Sequence, residues 1–272
     1  MRDPHTKWRF AGLGLRQRAR SAVKWTVRQL GNKVLPLEIS TPPIPADRLD
    51  DLAALEQALR ARHAEGTRAG IFNAFALHFN PEAWDPNDPA RTLDTLRAYL
   101  LLSRWLIRAC KLDRLRWLMP FVNSFPERYA RLVLDPAYAP DMARLIDDYV
   151  THNPTRNRPL DLLPLLAFND PNLLARPALA GQKVGPRPAF HYRLPNSGID
   201  EPDRSIAQEW ERWVMVERLV ADAELIAKFA REYLQWGRSV LGYMGDKWGR
   251  HVEQKWVPLL REVLQHAAQS VS

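Results

Sequence analysis

Cysteine is nearly absent. Cys110 stands alone in 272 residues, so no disulfide can form within the chain. That suits a reducing compartment, and the expected location is the cytoplasm. No apolar run nears the roughly 20 residues needed to span a bilayer. The basic N-terminus is not followed by an apolar signal core, which excludes the ordinary secretion signal. There is no repeat period and no low-complexity tract, which excludes solenoids and composition-driven linkers. Acidic residues are in deficit, 31 Asp and Glu against 39 Lys and Arg, for a net charge of +8. That balance points to acidic partners: a nucleotide, a carboxylate, nucleic acid or an anionic surface. The basic residues are dispersed, however. Their densest group, Arg16, Arg18, Arg20, Lys24 and Arg28, has no zinc-binding or recognition-helix signature, so a specific nucleic-acid module is not expected.

What is present is a large apolar fraction, 46%, with ten Trp. It is enough for one sizeable core. The stretch Arg187-Pro-Ala-Phe-His-Tyr-Arg-Leu-Pro-Asn196 stands out. Pro188 and Pro195 bracket a run in which strand alternation puts Phe190, Tyr192 and Leu194 on one face and Ala189, His191 and Arg193 on the other. The first face can pack on a core. The second carries an imidazole and a guanidinium about 6–7 Å apart along the strand, an arrangement suited to an anion or a metal. The alternative is an edge strand with a solvated polar face.

Along the chain, residues 15–30 read as a basic amphipathic helix and Val34–Ile39 as a strand carrying Glu38. Asp47 is a candidate N-cap for a helix over 48–63. Phe75–Phe79 reads as a strand that places His78 and Asn80 on one face. Helices are expected over 88–111, around Tyr129–Val133, and over 140–151. Asp147 and Asp148 diverge by about 100° on that last helix and read as surface residues or as partners of nearby arginines, not as a metal pair. Asn153–Arg158 is a polar loop with Arg156 and Arg158, leading into a helix at Pro159. Asp203 is expected to cap one long helix over 204–236, and Lys247–Gln265 to form the last. Val252, Trp256, Leu259, Leu260 and Val263 are expected to face inward.

Five segments taken together resemble the amidoligase family of carboxylate–amine ligases, which share a fold with glutamine synthetase. They are Val34–Pro45, Ala74–Glu82, Asn153–Pro164, the 187–196 stretch and Ile199–Pro202, in that order. The resemblance covers about residues 30–225 and implies a single domain over 1–272, with C-terminal helices over 204–268. The implied fold is α+β: a small, mostly antiparallel sheet packed with many helices, a glutamine-synthetase-like catalytic domain. The implied activity joins a carboxylate to an amine, or to a peptide, through an acyl phosphate made from ATP with Mg²⁺ or Mn²⁺. The implied catalytic residues are Arg158, Arg187 and Arg193. Asn80, Arg156 and His191 would bind substrate or nucleotide, and Glu38 and His78 would hold metal. Family members carry an early Gly-Val-Glu-Ile-Glu-Phe strand whose two glutamates hold metals. Residues 1–30 contain nothing like it, so an N-terminally shortened or impaired ligase is expected. The alternatives are a non-catalytic interaction protein on the same fold and, third, a basic helical protein of nucleic-acid or membrane surfaces.

Overall fold

The computed structural model describes residues 39–49, 51–62, 76–112, 122–236 and 246–262. The chain divides into two compact units, Met1–Ile44 and Pro45–Ser272. In the first, the described residues 39–44 carry no regular secondary structure. The expected basic helix, the body of the Val34–Ile39 strand and Glu38 lie outside the described residues, as do residues 263–265 of the expected last helix.

In chain order the second unit carries α1 (Asp51–Ala61), α2 (Pro89–Ala109), α3 (Glu127–Leu134) and α4 (Met142–His152). Then come β1 (Leu160–Asp161), α5 (Leu163–Asn169), two 3₁₀ turns (Leu173–Ala175 and Pro177–Leu179) and β2 (His191–Tyr192). Helices α6 (Ile206–Val220), α7 (Ala223–Trp236) and α8 (Lys247–His251) follow, the last running into a π-helical turn over Val252–Trp256. The described residues are therefore mostly helical with a small antiparallel sheet, an α+β arrangement. No helix among them is long and apolar enough to cross a membrane.

Helix α2 is the axis of this unit; α3, α6, α7 and α8 all pack on it. Its start is written in Asp88-Pro89. The Asp88 carboxylate accepts the Ala90 and Arg91 N–H groups at 2.8 and 3.4 Å, and Pro89 takes a first-turn position that needs no donor. Leu93, Leu96, Tyr99, Leu101, Leu102, Trp105 and Leu106 are buried along it. Full burial of each such side chain contributes about 1.5–3 kcal/mol before ordering costs.

The sheet is shorter than alternation predicts. Only His191–Tyr192 is regular strand, pairing antiparallel with Leu160–Asp161. On its other side, isolated bridges join Ala76 to Asn196, Phe79 to Tyr192 and Glu82 to Ala189. From the first bridge to the second, one segment advances three residues and the other four. The extra residue makes a bulge near Pro195, which has no N–H to pair. The facing of the run is as alternation predicts: Phe190, Tyr192 and Leu194 are in the core. Tyr192 packs among Phe79, Tyr99 and Trp213. Cys110 is buried beside it, Sγ to Oη 3.9 Å, and burial pushes the thiol up to about 12.

Several expected boundaries are corrected. Pro159 does not open a helix: Leu160 and Asp161 are taken by pairing with β2, and α5 starts at Leu163. Asp47 lies in a 3₁₀ turn, Ala46–Arg48, and α1 begins at Asp51. The cap at 203 is instead Ser205, whose hydroxyl accepts the Gln208 N–H at 3.1 Å. A second donor of that helix start, Ile206 N–H, bonds the buried Glu56 carboxylate at 2.9 Å. The single helix over 204–236 is two, because Asp222 caps a new one by accepting the Leu225 N–H at 2.9 Å. Leu259 is exposed, while Val252, Trp256 and Leu260 are buried.

Candidate functional site: a buried carboxylate between arginines

The polar face of the 189–194 run is not solvated. It closes on Asp161, whose side chain is fully buried. One carboxylate oxygen, Oδ1, accepts the Leu163 N–H at 3.0 Å, which orients the group at the start of α5. The other, Oδ2, takes Arg193 Nη2 at 2.8 Å and Arg156 Nε at 3.3 Å. Arg193 comes from the end of β2, and Arg156 from the loop before β1. Arg156 is held further by donating to the Lys183 carbonyl and by its N–H on Gln182 Oε1 at 3.2 Å. Burial lowers the pKa of Arg193, and Asp161 opposes the effect.

His191 stands beside this pair, with Nδ1 3.8 Å from Asp161 Oδ2, beyond hydrogen-bond length. Burial pulls the imidazole pKa below its usual value. The Asp161 carboxylate opposes this, while the Arg193 and Arg156 cations reinforce it. His78, exposed on the neighbouring segment, meets the His191 ring edge to face at 5.1 Å. The cluster thus holds two guanidinium groups over one carboxylate, with two imidazoles at its outer side.

Arg158 lies on the same loop but points elsewhere. Its Nε donates to the buried Asn153 Oδ1 at 3.0 Å, and its guanidinium lies over the Phe125 ring at 5.7 Å. Burial lowers its pKa. Tyr149 closes this side, its hydroxyl accepting the Leu162 N–H at 3.3 Å. Arg187 is exposed; its backbone N–H donates to the Pro164 carbonyl at 3.0 Å and its carbonyl accepts the Ala189 N–H at 2.8 Å. Asn80 is exposed. Of the residues singled out in the sequence, then, Arg156, His191 and Arg193 converge, His78 joins them, Arg158 is adjacent through its loop, and Arg187 and Asn80 stay at the surface.

Asp161, the residue the others gather on, was not singled out. It was visible as the lone acid in the apolar run Pro159–Leu166. An acid there needs a buried partner, because an isolated buried carboxylate is very costly.

The donor set suits an anion better than Mg²⁺ or Mn²⁺. Those ions need several oxygen ligands, and the one carboxylate here is spent on two arginines and a backbone amide. Among the described residues no three His, Cys, Asp or Glu side chains are grouped to hold a metal ion.

Fold and cluster together define an α+β protein with a cationic surplus on the polar side of a small antiparallel ladder. The chain belongs to the amidoligase family: residues 12–215 match the family model described as "Putative amidoligase enzyme". No curated protein and no solved structure matches it.

Proposed function

We propose that the chain is an ATP-dependent carboxylate–amine ligase built on a glutamine-synthetase-like frame. Family membership over residues 12–215 is the observation that carries this reading. The cationic surplus around Asp161 supports it. In this reaction the γ-phosphoryl group of ATP passes to a substrate carboxylate, giving an acyl phosphate and ADP. The amine then attacks the acyl carbon, phosphate leaves, and the nitrogen loses a proton to give the amide. Every anionic group in the first step repels the others, so neutralising charge is the main catalytic task.

In this proposal Arg193 and Arg156, fixed by Asp161, present a rigid positive surface to the acceptor carboxylate or the phosphates. Arg158, turned onto Asn153 and Phe125, and the exposed Arg187 add positive charge to the transferring group only by reorienting when substrate binds. His191, kept neutral by burial, and Asn80 offer hydrogen bonds that do not add charge. His78 covers His191 from the solvent side. The substrates are a small carboxylate and an amine, or a peptide carrying one of them. A cytoplasmic setting, where ATP is abundant and thiols stay reduced, fits the single Cys110. Glu38 and His78 remain the family-implied metal ligands, yet the described donor set does not by itself suit a divalent ion.

A second reading has one observation in its favour: Arg156 and Arg193 are already neutralised in part by Asp161. A binding protein that recognises a carboxylate without activating it would have this arrangement too. Calorimetric titration with ATP, with and without Mg²⁺ or Mn²⁺, separates them, using the whole chain and Arg156→Ala. The ligase reading expects metal-dependent ATP binding that is weakened about tenfold by the substitution, or roughly 1.4 kcal/mol. ADP release with a carboxylate and an amine should then follow. No binding at millimolar ATP would overturn the ligase reading and leave the binding protein.

A further inference from the structure

A second cleft lies on the opposite side of the 189–194 run, and it is acidic. Phe190 and His191 are neighbours on an extended segment and face opposite ways. His191 meets Asp161, while Phe190 lines a cleft of about 370 Å³ between the 82–85 segment, the start of α2 and the second half of α6. The volume lies within the range of small-molecule sites.

The walls are aromatic. Phe190 and Trp213 form the buried side, their rings 6.3 Å apart. Trp84 stands at the mouth, 94% exposed. A large aromatic ring so fully in water buries nothing in this state and is free to fold over a ligand.

The charged groups are mostly carboxylates. Among the described residues, Glu82, Asp85 and Glu217 line the cleft, with Arg91 as the one cation. In a chain of net charge +8 this local reversal of sign stands out. Glu217 receives one hydrogen bond, from Trp213 Nε1 at 2.7 Å. A carboxylate can accept about four. Glu217 is exposed at the edge of the cleft; partial burial pushes its carboxyl above the ordinary value, and the Trp213 indole opposes this. Deeper in, the Thr92 hydroxyl is buried, with 1% of the residue exposed, and has no hydrogen-bond partner. A buried hydroxyl left unpaired is costly, and a ligand group that bonds it recovers that cost.

Carboxylates beside aromatic faces are the chemistry that recognises an organic cation. We propose that this cleft binds a primary amine carrying an aromatic or branched apolar group. The ammonium pairs with Glu217 and the acids of the 82–85 segment, and the apolar group lies between Trp84 and the Phe190–Trp213 wall. The site is separate from the Asp161 cluster and does not depend on the ligase reading.

The test is calorimetric titration of the whole chain with 2-phenylethylamine, with 2-phenylethanol as a neutral probe of the same shape, and with 3-phenylpropanoate as an anion. The amine should bind at least about tenfold tighter than the alcohol, and the anion weakest of the three. Glu217→Gln should remove that preference. Trp84→Ala, a change at an exposed position that leaves the core intact, should weaken the amine and the alcohol alike by several-fold. Equal binding of amine and alcohol would overturn the assignment. So would an unaltered preference in Glu217→Gln, full affinity in Trp84→Ala, or no amine binding at millimolar concentration.

Discussion

Two buried carboxylates in this chain are each flanked by two arginines, and they differ in where the arginines come from. Glu209, in the first turn of α6, pairs with Arg212 one turn later and with Arg204 at 3.7 Å just before the helix. All three lie within nine residues of sequence. Arg204 also ties the helix start to the end of α2 by donating to the Cys110 carbonyl at 2.8 Å. Asp161 instead draws Arg156 from its own loop and Arg193 from across the ladder. The first cluster fastens a helix end. The second holds two cations in place beside the half-buried His191, with the exposed His78 over it, which makes it a surface that can meet a ligand. A carboxylate with local partners reads as scaffold, and one with distant partners is the better candidate for a site.

Removing each carboxylate tests that contrast. Asp161→Ala should be the most damaging, because Arg193 would stay buried without its counter-charge. A loss of about 3–5 kcal/mol in urea unfolding is expected, with ATP binding lost as well. Glu209→Ala should cost less, about 1–3 kcal/mol, since Arg212 is partly exposed and the mostly buried Arg204 keeps Glu201 and the Cys110 carbonyl as partners. It should leave ATP affinity unchanged; a parallel loss would erase the distinction between scaffold and site.

A third prediction concerns pH. His191 has its folded pKa lowered by burial, so the unfolded chain takes up the proton more readily. Its contribution is fully present above the unfolded value of about 6.5 and is lost as pH falls from there toward the folded pKa. Thermal unfolding followed from about pH 8 downward should show that decline in the native chain and a flatter profile in His191→Gln. An equal slope in both would move the acid sensitivity to another group.

The smallest effect is expected at the surface. Arg176 bridges Asp147 and Asp170 at the protein's exterior. Arg176→Ala should cost under about 1 kcal/mol by urea titration, and less still in high salt. It gives the baseline against which the two buried clusters are judged.

Much of the helical frame was legible because its signals are local. Asp88-Pro89 announces α2, and the spacing of Leu145, Ile146 and Tyr149 announces α4, whose actual cap is Asp141. The alternation over 189–194 correctly separated a core face from a polar one. What failed to read needed distant partners or a subtle cap. Pro159 looked like a helix start until β2 claimed Leu160 and Asp161. The break at Ala221–Asp222 carries no Gly or Pro; one aspartate cap divides what the apolar pattern joined. Of the candidate site, the alternation supplied His191 and Arg193, and the family resemblance supplied Arg156 and His78. It could not supply Asp161, because no local pattern states which cations a buried acid will meet.

The ladder between Phe79 and Tyr192 joins segments more than a hundred residues apart. Closing a loop of that length costs on the order of 4 kcal/mol of chain entropy beyond a constant, so the ladder is expected to form after local helices have collapsed. The consequence begins at the ribosome. At about 5–20 residues per second, Phe79 is made on the order of ten seconds before Arg193. During that interval Asp161 emerges without Arg193, and Phe79 without the strand that will cover it. The protein therefore passes through a stage in which its future binding surface is an open, unpaired edge, and its yield in a cell will depend on what shields that edge until the last strand arrives.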